Sequence, residues 1–310
     1  MLDSPDRTSR QVRHFLQEPD LTADEFRALI ASAIELKASW SRKELRNTLQ
    51  NRTLAMIFEK ASTRTRCSFE AGMNQLGGHA INLSPADSQL GRGEPITDTS
   101  RVLSEMVDVA MLRTRQHSTI EDFASVSAIP VINGLSDQLH PCQLLADMQT
   151  FFELRGDIRG ARIAWLGAGN NVCNSFINTA KLLDFELVIA SPKEFEPQQH
   201  YISQSEGHAK LTEDPRAACE GAAAIVTDVW TSMGEEQENE RRLKALAPYQ
   251  LDQKLLGTAN KDAIFMHCLP AHRGEEVTAE VIDGPQSVVW QEAGNRLHAQ
   301  KALLEFLLLD

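Results

Sequence analysis

Short apolar runs alternate with segments of helical periodicity along almost the whole chain, and no other feature restricts the fold as much. The first run, Thr53-Leu54-Ala55-Met56-Ile57-Phe58, has the length and composition of a buried strand. Phe69, Met73 and Leu76 follow at helical spacing and stop at Gly77-Gly78. Residues 80–83, 109–113 and 130–134 read as further strands. A helix capped at Thr22 precedes them, another opens near Pro95 with Val102, Leu103, Met106 and Val107 inside it, and a third covers 120–127. A long helix runs from His140 to about Gly156, with Pro141 in its first turn and His140 and Gln143 on one face.

From Ala161 the alternation restarts. Strands are expected at 162–166, 187–190, 223–227, 263–266 and 287–290, with a short one near 209–211; helices are expected at 172–183, 215–220, 235–246 and 295–309. Strand–helix alternation of this kind implies right-handed crossovers and parallel sheets. The expected fold is α/β: two doubly wound domains, each with a central parallel sheet flanked by helices. The division is 1–150 and 151–294, with a C-terminal helix of about 295–310 packing back onto the first domain.

Length and charge narrow the function. The chain has 310 residues, a formal net charge of −12 and 42% hydrophobic residues, enough for two cores. The acidic balance argues against nucleic acid or an anionic membrane as partner. No apolar run suits a membrane span or a signal peptide. Cys67, Cys142, Cys173, Cys219 and Cys268 are scattered without paired spacing, as in a reducing compartment. A cytoplasmic protein is the expectation.

Against this acidic background Ser62-Thr63-Arg64-Thr65-Arg66 stands at a strand-to-helix junction. Free backbone N–H groups and the positive helix end make such a junction an anion site, and three hydroxyls with two guanidiniums add donors suited to phosphate. The alternative is an ordinary helix cap with two solvated arginines. Ligands of parallel sheets gather at the C-terminal strand ends, which puts Arg113 and the loop after Asn133 along the same edge. In the second half, Asp228 and Ser232 follow one strand and Cys268 another. Gly167-Ala168-Gly169-Asn170-Asn171 invites a dinucleotide reading, but Val172 occupies the third-glycine position of that fingerprint. His267, Cys268 and His272 lack the spacing of a zinc site. Neighbouring His267 and Cys268 point to opposite faces of a strand, which disfavours a Cys/His nucleophile pair.

These motifs together resemble the ornithine carbamoyltransferases, over nearly the whole chain. Ser62-Thr63-Arg64-Thr65-Arg66 and His140-Pro141-Cys142-Gln143 are similar to the two carbamoyl-phosphate motifs that this family shares with the aspartate carbamoyltransferases. Asp228-Val229-Trp230-Thr231-Ser232-Met233-Gly234 and His267-Cys268-Leu269-Pro270 resemble the segments of the ornithine branch. The pattern looks most like the biosynthetic bacterial enzymes.

The resemblance implies transfer of the carbamoyl group from carbamoyl phosphate to the side-chain amine of L-ornithine, giving citrulline and phosphate for arginine biosynthesis. It implies Ser62, Thr63, Arg64, Thr65 and Arg113 around the phosphate, and Arg64, Thr65, Arg113, His140 and Gln143 around the carbamoyl group. Cys268 and Leu269 would lie beside the reacting amine and Arg296 against the carbamoyl phosphate. Asn171, Asp228, Ser232 and Met233 would hold ornithine. Arg64, His140, Gln143, Asp228 and Cys268 are the implied catalytic set, with Cys268, together with Asp228, the candidate for deprotonating the amine. Gln89 resembles a glutamine lent to the neighbouring subunit, so a homotrimer is implied. Neither a metal nor an organic cofactor is expected. Two positions depart from the family: Ala168 stands where an acidic residue is usual, and Gly294 where a glutamate is common. Two rival readings are a carbamoyltransferase for putrescine or an acylated ornithine, and a catalytically weak binding or regulatory relative.

Overall fold

The computed structural model describes residues 12–44, 46–84, 93–231 and 236–309. Helix α1 (Ala23–Ser41) begins at Thr22, whose hydroxyl accepts the Glu25 N–H while the Glu25 carboxylate accepts the Thr22 N–H. Then β1 (Thr53–Phe58), α2 (Thr63–Gln75), β2 (His79–Leu83), α3 (Ile96–Ser104), β3 (Val109–Arg113), α4 (His117–Ser125) and β4 (Val131–Leu135) alternate, followed by α5 (Pro141–Arg155). The strands form a parallel sheet in the order β2-β1-β3-β4. The chain steps from β1 to β2 on one side and then crosses to β3 on the other. This opens a crevice at the C-terminal ends of β1 and β3, where Phe58 and Arg113 are register partners.

The second half builds β5 (Arg162–Leu166), α6 (Asn171–Leu183), β6 (Glu186–Ala190), α7 (Gln199–Gln204), β7 (Ala209–Thr212), α8 (Pro215–Cys219) and β8 (Ala224–Thr227). After these come α9 (Glu236–Leu246), α10 (Gln253–Leu256), β9 (Ile264–His267), α11 (Ala279–Ile282) and α12 (Val289–Leu309). Its parallel sheet has the order β7-β6-β5-β8-β9, so direction reverses between β5 and β8, where Leu166 pairs with Thr227. The expected α/β architecture with two parallel sheets is present.

Two boundaries differ from expectation. No strand forms at 287–290: Ser287 makes an isolated bridge to Phe265, and Val289 already opens α12. A four-residue apolar run is compatible with either state, and here Val289 is buried while Trp290 is 62% exposed, as one side of a helix requires. Helix α3 stops at Ser104, leaving Met106 and Val107 beyond it.

Strand residues alternate between two buried faces, as parallel sheets require. Met56, Met111 and Ile132 share one core with α1, α5, α12 and the second-sheet residues Ile163, Trp165 and Leu187. Ala55, Ile57 and Leu112 face α4, and Leu166, Ile225 and Phe265 face the other side of the second sheet. Each fully buried large apolar side chain contributes about 1.5–3 kcal/mol. Helix α5 runs between the halves with every residue from Pro141 to Phe151 buried. Helix α12 packs chiefly on α5, α1 and α2 and touches β9. Among the described residues no helix is long and apolar enough to cross a membrane.

Candidate active site

Ser62 is the N-cap of α2, yet its hydroxyl makes no capping hydrogen bond. The ordinary-cap alternative therefore lacks its defining contact, and among the described residues no side chain accepts from the first-turn N–H groups. Ser62 and Thr63 line a cavity of about 430 Å³ with Phe58, Glu59, Ala61, Arg66, Asn82 and Ser84. Arg66 pairs with Glu70 at 3.1 Å on the exposed helix surface. Arg64 forms no ion pair among the described residues.

Thr65 is buried, and its Oγ1 accepts from Arg296 Nη2 at 2.7 Å and from Arg113 Nη1 at 3.3 Å. The Nε atoms of both arginines are buried without a partner. Two guanidinium charges this close repel by on the order of 3 kcal/mol at an effective dielectric near 20, and no carboxylate forms an ion pair with either among the described residues. Burial, followed by the positive field of Arg296, lowers Arg113 to about 10, and burial also lowers Arg296. His140 caps α5; its backbone N–H donates to Ser175 Oγ at 2.8 Å, and its Nδ1 is buried without a partner. Burial, then Arg296 and Arg113, push the imidazole well below its ordinary range, so it is neutral at physiological pH. Unpaired donors thus converge on the crevice of the first sheet, a setting for an anion.

The crevice of the second sheet is built around Asp228, which follows β8. Its carboxylate accepts from Asn170 Nδ2 at 2.6 Å, Val229 N–H at 2.8 Å and Cys268 Sγ at 3.1 Å. Asn170 also caps α6, its Oδ1 accepting the Val172 and Cys173 N–H groups. Asn171 is not brought to Asp228: its Nδ2 donates to the Ser136 carbonyl at 2.8 Å. Burial, and then the Asp228 charge, hold the Cys268 thiol well above its usual range. Leu269, at φ 57° in the left-handed region that a bulky residue seldom adopts, donates its N–H to His267 Nδ1 at 2.9 Å. The acceptor role of Nδ1 puts the His267 proton on Nε2, which donates to Glu276 at 3.1 Å. Gln89, Ser232 and Met233 lie outside the described residues.

Asp228, His267 and Cys268 bring potential metal-donor atoms within 4.8 Å of one another, as do His272, Glu275 and Glu276. Both ring nitrogens of His267 are already committed, so ligation in the first group would break a buried hydrogen bond. In the glycine turn, Gly167 sits at φ 113°, and a Cβ on Gly169 would meet the Pro197 backbone at 2.2 Å. The chain itself therefore occupies the approach that a dinucleotide pyrophosphate would need.

A continuous run of hydrogen bonds joins the two crevices. The Gln143 carbonyl accepts from Arg296 Nη1 at 2.7 Å, while its Nε2 donates to Asp147 Oδ1 at 2.8 Å and Glu292 Oε1 at 3.1 Å. Glu292 Oε2 accepts the His267 N–H at 2.8 Å, one residue before Cys268. Sequence reasoning missed Asp147, Glu292 and Asn170. Gln143, Asp147 and Thr150 form a polar stripe at i, i+4 and i+7 of a buried helix, which was a readable signal. Glu292 and Arg296 have the same i, i+4 spacing; Asn170 had only its cap position.

Comparison with known proteins matches residues 13–153 to the aspartate/ornithine carbamoyltransferase carbamoyl-P binding domain and residues 159–307 to the Asp/Orn binding domain. The chain is 60% identical to the ornithine carbamoyltransferase of Methylococcus capsulatus, covering 96% of this chain and 98% of that one. It is 55% identical to the anabolic ornithine carbamoyltransferase of Pseudomonas aeruginosa, with 96% and 97% covered. Solved ornithine carbamoyltransferases from Burkholderia thailandensis (49% identity, TM-score 0.90) and Pyrococcus furiosus (47%, TM-score 0.92) share the fold; each covers 96% of this chain, with 99% and 97% of their own chains matched.

Proposed function

This chain belongs to the aspartate/ornithine carbamoyltransferase family, and from that membership we propose that the two joined crevices are its reaction site. The reaction moves the carbamoyl group of carbamoyl phosphate to the side-chain amine of L-ornithine, giving citrulline and phosphate, a step of arginine biosynthesis. The observation that carries the site assignment is the pair of buried guanidiniums converging on Thr65 of α2 with their Nε atoms unpartnered and no ion pair to a carboxylate among the described residues.

In this reading Ser62, Thr63, Arg64, Thr65 and Arg113 cradle the phosphate together with the free N–H groups of α2. Arg64, Thr65, Arg113, His140, Gln143 and Arg296 address the carbamoyl group, with Cys268 and Leu269 beside the attacking amine. Charge grows on the carbonyl oxygen during attack and passes to the phosphate as the C–O bond breaks. Donors fixed in a buried setting before the reaction stabilise that charge without reorganising. His140, neutral and with Nδ1 unpartnered, supports a role as a hydrogen-bonding partner of the carbamoyl group. Holding both substrates together supplies a further share of the rate.

Asn171, Asp228, Ser232 and Met233 hold ornithine. The attacking amine must be neutral, although a free alkyl amine has a pKa of about 10.4. The Cys268 thiol keeps its proton and donates it toward Asp228, which favours the Asp228 carboxylate over a thiolate as the group that handles the amine proton. We divide the chain into a carbamoyl-phosphate domain (1–150, with the C-terminal helix of about 295–310) and an ornithine domain (151–294). We also propose a cytoplasmic homotrimer in which Gln89 reaches the neighbouring site. Ile81 on the edge strand β2, Val102 on α3 and Met106 just beyond α3 expose apolar side chains, which supports covered surface on this half of the chain.

Arg64→Ala tests the phosphate assignment. Loss of one preorganised cation lowers kcat/KM for carbamoyl phosphate by about 10²–10³-fold, with the fold retained by circular dichroism. A change below about threefold would remove Arg64 from the site.

A further inference from the structure

We propose that Asp147 and Glu292 are positioning residues for carbamoyl transfer: a buried carboxyl pair, holding one proton, that fixes the Gln143 amide and ties it to the Cys268 segment. This inference rests on the reading of Gln143 and Cys268 as site residues.

Both carboxyls are buried, at 1% exposure each, and both accept from the same nitrogen, Gln143 Nε2, at 2.8 and 3.1 Å. Two carboxylates this close in a buried setting do not both ionise, so one proton stays between them. Burial is the largest influence on each acid and raises both.

The consequence is geometric. The two hydrogens of Gln143 Nε2 go to Asp147 and Glu292, so the amide has one orientation and its carbonyl turns to Arg296 Nη1. Arg296 in turn holds Thr65 at the α2 N-terminus. The second Glu292 oxygen accepts the backbone N–H of His267, the last residue of β9. One acid thus links α5, α12 and the strand that delivers Cys268. The hydrogen bonds of the two carboxyls run to Gln143 and, for Glu292, to the His267 backbone, so each acts through those groups.

Asp147→Asn and Glu292→Leu separate this role from plain packing. An asparagine at 147 keeps an acceptor for Gln143 and can donate to Glu292, whereas leucine at 292 removes the acceptors of both Gln143 and His267. Native enzyme forming citrulline checks the underlying assignment independently of either variant. In folded Glu292→Leu, kcat falls by more than about tenfold, with KM for carbamoyl phosphate changed less than threefold, and Asp147→Asn keeps kcat within about threefold of native. If Glu292→Leu fails to fold, the isosteric Glu292→Gln decides, with the same expected loss in kcat, because its single amide oxygen serves Gln143 or His267 but not both. Native kcat in folded Glu292→Leu (or in Glu292→Gln, should that variant decide), a loss carried by KM, or Asp147→Asn as slow as Glu292→Leu would overturn the proposal.

Discussion

At the scale of single residues the account turns on protonation. Cys268 is buried beside Asp228 and its thiol donates to that carboxylate, so it is a poor thiolate at neutral pH. A serine at this position keeps an O–H donor for Asp228. Cys268→Ser is therefore expected to retain kcat within about tenfold and to keep the native rise in rate between pH 7 and about 9.5, because that rise reports the ornithine amine. Asp228→Asn is expected to lose about 10²–10³-fold, the usual contribution of a positioned acid–base group. Rate–pH profiles of the three enzymes check this, and loss of the alkaline rise in Cys268→Ser alone would make the thiolate the base. The chemistry-bearing types at Ser62–Arg66, His140–Gln143, Asp228 and Cys268 were legible because several donors crowd one strand end. Asp147 and Glu292 each leave a local spacing signal beside Gln143 and Arg296, but their meeting at one amide is not legible, because the two residues lie 145 positions apart in the chain (292 − 147).

At the scale of elements the strand–helix alternation was readable because strands buried on both faces leave continuous apolar runs, and both sheets follow from it. The failure at 287–290 has a definite cause: Val288 and Val289 favour a strand locally, but Val289 buries its side chain as the first residue of α12. Helix α12 also explains one departure from the family. Gly294 lies within it on the exposed side, and an added Cβ would meet nothing within 4 Å. Glycine inside a helix costs about 0.5–1 kcal/mol relative to alanine. Gly294→Ala is thus expected to raise the free energy of unfolding by that amount in a denaturant titration without changing kcat. A destabilised variant would mean that the helix backbone there needs glycine. At the other departure, the turn containing Ala168 is anchored by other bonds: Asn170 to Asp228 and Asn171 to the Ser136 carbonyl.

At the scale of the molecule, the two sheets each present the point where strand order reverses, and the hydrogen bonds through Arg296, Gln143 and Glu292 connect those points. Closure of two such halves over substrates is a common way to exclude water from a transfer reaction. A homotrimer with a shared Gln89 makes a separate prediction. Sedimentation should give three chains per particle, and specific activity should fall as dilution dissociates them. Full activity in a monomer would contradict the shared site. The most direct test of the central claim is citrulline-type product formation from carbamoyl phosphate, with ornithine, putrescine and N-acetylornithine compared side by side. The account predicts that ornithine is preferred by orders of magnitude in kcat/KM. Turnover of putrescine or N-acetylornithine at the rate of ornithine, or carbamoyl-phosphate binding without any reaction of ornithine, would contradict the assignment of the second crevice.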